Sequence, residues 1–348
     1  MFYSPEDADL TRRIGLVDSH NDFATAIAAR RASGVYDSLA SYWVPRFQAG
    51  GVKVVVAPIW ISSQFIPEAA MRRAVQVIDG LCREIEANLE TIELAVSFAD
   101  IQRITAAGKV AVLLAFEGAE PLGHDLAALR LFYAAGLRMM SLTWSRRNAF
   151  GDGAWENDSR GGLTRLGRQA VAEMERLGII VDVSHASDRT AWDILEVATR
   201  PVVASHSNAR ALRAHPRNLP DDLLRAIADK DGVIGVTAVP SFIGESPATI
   251  GAWVDHVEHV VEVAGIDHVG IGADFVHHMN EIGATLEIAG WGPDWNAGRR
   301  LPPFEGMLSA EDLPGLTAEL RRRGYGEAEL TRVFHANYFR VMQRVLGG

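Results

Sequence analysis

Short apolar runs alternate with longer stretches of helical spacing along most of this chain. The short runs are Ile14–Val17, Val52–Trp60, Val110–Phe116, Leu137–Leu142, Ile179–Val183, Pro201–Ala204, Val233–Ala238 and His268–Gly272, rich in Val and Ile and mostly bounded by Gly, Asp or Pro. Near-continuous apolar runs suit strands covered on both faces, as in a parallel sheet. Helical patterns lie between them, among them Pro67–Glu90, Asp125–Ala135, Leu166–Leu177, Asp188–Thr199, Asp221–Lys230 and Ile250–Ala264. Several follow Ser, Asp or Pro, and two stop at Gly178 and Gly265, as capping chemistry predicts. Eight strands separated by helices predict an α/β fold: a single (β/α)8 TIM-type barrel over residues 1–348, with long βα loops and extra C-terminal helices. An open doubly wound sheet is the alternative. It usually carries a glycine fingerprint after its first strand, and here Asp18-Ser19-His20-Asn21-Asp22 follows Val17. Two stretches, 143–163 and 275–309, read as long loops of the kind that form lids or binding surfaces.

In such a barrel the active site is built at the C-terminal ends of the strands. His20, His185 and His206 fall at or just beyond those ends, as do Asp22, Glu117 and Asp274. His268 falls at the opposite end of its strand, while His124, His256 and His259 lie on helices and read as structural or solvated. His20 and Asp22 share strand parity, which lets an imidazole and a carboxylate meet one ion, and Asp18 has the same parity and could orient the ring. Three imidazoles and two carboxylates at His20, Asp22, Glu117, His185 and His206 form a donor set for first-row transition metals, not for Mg or Ca. A central carboxylate such as Glu117 can bridge two cations about 3.5–4 Å apart. His20 and Asp22 would then complete one position, and His185 and His206 the other. Asp274, in Gly270-Ile271-Gly272-Ala273-Asp274-Phe275, is the candidate general base and acid. The chain has no GxSxG elbow, phosphate loop or HExxH helix, and Ser205-His206-Ser207 lacks an acid at recognisable triad spacing.

Composition narrows the partners. With 34 Lys+Arg against 44 Asp+Glu and a net charge of −10, the chain lacks the clustered basic residues that neutralise phosphates, so no nucleic-acid partner is expected. Its one cysteine, Cys82, excludes an intrachain disulfide and a CxxC zinc site. No apolar stretch approaches the ~20 residues that span a bilayer, so no membrane partner is expected. The opening MFYSPEDADLTRR has acids where a secretion signal needs a basic start, and a cytoplasmic location is expected.

The segments Val17-Asp18-Ser19-His20-Asn21-Asp22, Phe116-Glu117-Gly118, Asp182-Val183-Ser184-His185, Ser205-His206-Ser207-Asn208-Ala209-Arg210, Arg217-Asn218-Leu219-Pro220-Asp221-Asp222 and Gly270–Phe275, with the closing Asn337-Tyr338-Phe339-Arg340-Val341, together resemble the membrane dipeptidase (renal dipeptidase) family, peptidase family M19. The resemblance runs from the first strand to the last helix. It implies a zinc-dependent dipeptidase with two Zn2+ ions: His20, Asp22 and Glu117 hold one, and Glu117, His185 and His206 the other. It also implies that Asp274 shuttles the proton, that Arg217 binds the substrate's terminal carboxylate, and that the protein is a homodimer. One position departs from the pattern: well-studied members carry a histidine in the loop after the fourth strand, and Ser141-Leu142-Thr143-Trp144-Ser145 places Trp144 there as a substrate contact.

The expected reaction is hydrolysis of small dipeptides, including L-Xaa-D-Xaa, by water activated between the ions. Arg217 would select a free carboxylate through its guanidinium fork. Tryptophans 43, 60, 144, 155, 291 and 295 are expected near the mouth, and His277 and His278 are further candidates to reach substrate. A related barrel metallohydrolase acting on N-acyl amino acids, lactams or esters is the first rival. A metal-binding protein without activity is the second. A deaminase would want HxH in place of His20-Asn21-Asp22.

Overall fold

In the computed structural model, residues 3–244, 246–275 and 304–347 are described. Eight parallel strands form the barrel: β1 (Leu16–Asp18), β2 (Val52–Trp60), β3 (Val110–Glu117), β4 (Leu137–Ser141), β5 (Ile180–Asp182), β6 (Val202–Ala204), β7 (Val233–Val236) and β8 (Val269–Ile271). Each pairs with the next, for example Val54↔Ala111 and Met139↔Ile180, and Asp18↔Ile271 closes the ring. Closure leaves the barrel without a free edge, and helices on the outside cover the other strand face.

Alternation along the strands separates two cores. Val54 and Val56 of β2, Ala111, Leu113 and Ala115 of β3, Ile180 of β5 and Val203 of β6 gather in the lumen. Their neighbours Val55, Ala57, Val112, Leu114, Val181 and Val202 pack outward against the helices. The lumen is plugged at one end by the last helix, Asn337–Leu346, through Tyr338, Val341, Met342 and Val345. Gly270 makes room for that plug: a Cβ there would lie 2.3 Å from the Tyr338 ring.

Several boundaries differ from the sequence expectation. Ile14 belongs to a helix, Pro5–Ile14, capped by Ser4 and Asp7 in a reciprocal box, and β1 begins only after Gly15 at φ 79°. This helix packs on Pro314–Arg322, where Thr11 and Thr317 hydroxyls meet at 2.6 Å and Arg321 pairs with Asp7 at 2.6 Å. The Pro67–Glu90 pattern narrows to Ala70–Glu86, and a short strand, Ile92–Leu94, pairs with the first half of β3 below the start of β4. Helices Phe23–Ala32 and Phe98–Ala106 were not anticipated. Cys82 is half-buried against the outer core, consistent with a packing role. No helix among the described residues is long and apolar enough to cross a membrane.

Candidate metal centre

Parity delivers the central carboxylate. Ala111, Leu113 and Ala115 face the lumen, so Glu117 at the end of β3 faces it too, at the C-terminal mouth. Gly118 follows at φ 100°, a conformation that lets the chain turn at once towards the next helix. The remaining residues arrive on loops beyond their strands. His20 and Asp22 lie after β1 has ended at Asp18, so they meet through a turn, with Asp22 at the N-cap of Phe23–Ala32, and strand parity is not the cause. His185 and Asp274 follow β5 and β8 and adopt left-handed backbone at φ 68° and 52°, which is uncommon outside glycine.

One carboxylate oxygen ties these side chains together. Glu117 Oε1 lies 2.7 Å from His185 Nε2, 3.5 Å from His206 Nε2 and 3.7 Å from His20 Nε2. His185 and His206 Nε2 atoms approach to 2.9 Å, and Asp22 Oδ1 sits 3.8 Å from His20 Nε2. Among the described residues, three groupings have donor atoms within 4.8 Å of one another: His20, Asp22 and Glu117; Glu117, His185 and His206; and His20, His206 and Asp274. The third places Asp274 closer to the donors than sequence spacing implied.

Burial sets the electrostatics. It pushes Asp22 and Glu117 well above the usual carboxylate range, and the neighbouring carboxyls, Asp274 among them, add to the effect. It drives His20, His185 and His206 well below the usual imidazole value, with Arg217 contributing. Asp274 rises to about 7, mainly through burial, with the Arg217 charge opposing. Asp22 Oδ1 is buried with no hydrogen-bond partner among the described residues. Lone pairs of buried imidazoles and carboxylates converging without donors fit divalent cations, which restore the charge that burial disfavours. These residues form a buried His/Glu metal-binding site.

The surrounding residues fill roles that sequence spacing did not resolve. Asp18 does not orient the His20 ring; its carboxylate accepts the backbone N–H of Ala273 at 2.9 Å and of His20 at 3.4 Å, and the Asn21 amide at 3.0 Å. It ties the turn after β1 to that after β8. Ser145, from the loop after β4, meets His185 Nδ1 at 2.7 Å. That loop is internally pinned: Asn148 accepts from Phe150 N–H and donates to the Leu142 carbonyl, and Asp152 accepts from Ser159 Oγ and Gly161 N–H. Arg217 is buried beside the site, donating to the His206 carbonyl at 2.9 Å, and its Nε has no hydrogen-bond partner among the described residues. Trp144 stacks on His185 with ring centroids 5.5 Å apart, and Trp60 and Trp155 lie 5.2 and 4.7 Å from it. Trp43 packs instead with Phe23 and Phe47. Trp291, Trp295, His277 and His278 lie outside the described residues. His256 is structural, its ring bridging Ala209 N–H and the Ile243 carbonyl.

A parallel barrel whose mouth gathers this donor set is a metal-dependent hydrolase of the barrel type. Residues 6–287 match the membrane dipeptidase family, peptidase family M19, and the chain belongs to that family: it is a metallo-dipeptidase. The dipeptidase tcpJ of Claviceps purpurea is 32% identical over 286 residues, which cover 81% of this chain and 62% of that protein. The dipeptidase aclJ of Aspergillus oryzae is 30% identical, covering 97% of this chain and 80% of the relative. A metallopeptidase from Rhodobacter sphaeroides, solved with a phosphinate mimic of the dipeptide L-Ala-D-Ala, superposes with a TM-score of 0.82 at 27% identity, covering 95% of this chain and 99% of that one.

Proposed function

We propose that the chain hydrolyses small dipeptides, including those with a D-residue at the C-terminal end. Two zinc ions would serve it, one held by His20, Asp22 and Glu117 and the other by Glu117, His185 and His206. The observation that carries this reading is the position of Glu117 Oε1 within 3.7 Å of all three imidazole Nε2 atoms. When bound, such a pair supplies an activated water and polarises the scissile carbonyl. Asp274, half-buried beside His20 and His206, suits both receiving a proton and passing it to the departing amine. Arg217 would receive the terminal carboxylate through the donor its neighbours leave unused. A fixed distance between that guanidinium and the metal cluster favours dipeptides over longer peptides. Trp144, stacked on His185 and flanked by Trp60 and Trp155, offers apolar surface to a substrate side chain. The dipeptide mimic held by the Rhodobacter neighbour supports this substrate class. A cytoplasmic location is part of the proposal, supported by a single cysteine in 348 residues.

Replacing Asp274 with Asn tests the assignment. Turnover of L,L- and L,D-dipeptides should fall by about 10²-fold or more, with zinc content unchanged. Loss of zinc from the variant would make Asp274 a ligand, which the grouping with His20 and His206 permits geometrically. Wild-type turnover confined to N-acyl amino acids, lactams or esters would replace the dipeptide reading with that of a related hydrolase.

A further inference from the structure

We propose that Asp182 is a positioning residue that acts through Ser205 to hold His206 in the one tautomer able to bind an ion through Nε2. Asp182 ends β5, with lumen-facing parity set by Ile180, and Ser205 follows β6 with the parity of Val203. Both are buried under the metal-binding cluster. Asp182 Oδ1 accepts the backbone N–H groups of Ser184 and Ser205, each at 2.9 Å. Its Oδ2 accepts the Ser205 hydroxyl at 2.5 Å. Ser205 Oγ in turn lies 2.7 Å from His206 Nδ1.

Proton counting fixes the direction of this chain. Two backbone N–H groups on Asp182 Oδ1 favour its ionised form against burial; a serine hydroxyl has one proton, and the short contact to that carboxylate takes it. Ser205 Oγ can then only accept from His206, so Nδ1 carries the ring proton. Nε2 is left with its lone pair, 3.5 Å from Glu117 Oε1 and 2.9 Å from His185 Nε2. The His206 backbone is held as well, its N–H donating to Ser184 Oγ at 3.1 Å. A carboxylate behind a ligating histidine raises its basicity and fixes its ring, and here the serine extends that reach by one hydroxyl. His185 is served differently, its Nδ1 meeting a hydroxyl from the long loop after β4.

Two readouts on the full chain test the relay. The first is imidazole 15N NMR of the metal-free protein. His206 should be a pure Nδ1–H tautomer in the wild type and a mixture in Ser205→Ala, which leaves both backbone bonds to Asp182 in place. The second is titration with Zn2+, in which Ser205→Ala should lose about 10–100-fold in affinity at the position that includes His206. Asp182→Asn should show the same two changes, and matching near-ultraviolet circular dichroism would establish that both variants fold. The zinc readout rests on the metal assignment above, and the tautomer readout does not. Failure of the wild type to bind Zn2+ would overturn that assignment alone. An unchanged His206 tautomer in Ser205→Ala, or unchanged zinc affinity where the wild type binds, would overturn the relay.

Discussion

Glu117 Oε1 faces three imidazole nitrogens from three different loops, and around it burial raises the carboxyls and lowers the imidazoles. In the ion-free protein burial therefore favours the neutral forms of both the imidazoles and the carboxyls. A cation bound there would compete with protons for Asp22 and Glu117 and would favour the ionised form of the neighbouring Asp274. Zinc binding should thus release protons, with apparent affinity rising as pH rises through the range in which these raised carboxyls ionise. Calorimetric titration in buffers of different ionisation enthalpy reads the released protons directly. Heats independent of buffer at low pH would show that the carboxyls hold none. The five ligand candidates and Asp274 were legible as residue types at strand ends. Arg217 came only from family resemblance, because nothing in its local sequence shows that its guanidinium is buried against the His206 carbonyl. The role expected for Asp18 was wrong because β1 ends at that residue, which sends its side chain to backbone amides.

Among the elements, the segment 143–163 has the largest structural consequence. It is an ordered loop that places Ser145 against His185 and Trp144 against the same ring, and the Ala154 N–H donates to the His185 carbonyl at 2.8 Å. Asp152 is its internal anchor, buried and accepting from Arg147, Ser159 and Gly161. Asp152→Ala leaves those donors without their acceptor and should cost about 1–3 kcal/mol of stability by urea denaturation. It should also lower kcat, because His185 loses its fixed support; wild-type kcat in the variant would show that the loop does not position the ring. The eight barrel strands were readable from apolar runs. The helices Pro5–Ile14, Phe23–Ala32 and Phe98–Ala106 lie outside the helical patterns of the sequence: the first has a clear Ser-Pro-Glu-Asp start, and the second opens directly from the metal-binding turn. Ile92–Leu94 is too short to produce a period of its own.

For the molecule as a whole, the site is assembled by closure of the ring. The side chains gathered there come from loops after β1, β5, β6 and β8 and from the end of β3, so an ion bound among them would join distant parts of the chain. Ligation only in the folded state stabilises it by RT ln(1 + [L]/Kd), about 2.7 kcal/mol at a free concentration of 100 Kd. Chelator-treated protein should therefore unfold at a lower temperature than the zinc-loaded form, and added Zn2+ should restore the midpoint. Equal midpoints with and without zinc would argue against ligation by groups that only folding brings together. The sequence by itself determined the barrel, its approximate strand count, the absence of disulfide or CxxC chemistry and the residue types at the mouth, since periodicity and composition are local properties of the chain. Tertiary structure alone decided that one oxygen of Glu117 serves all three imidazoles, that Asp182 reaches His206 through Ser205, and that Tyr338 plugs the far end of the lumen. Those relations depend on strand stagger and loop path, which are settled when residues far apart in the chain compete for the same small volume.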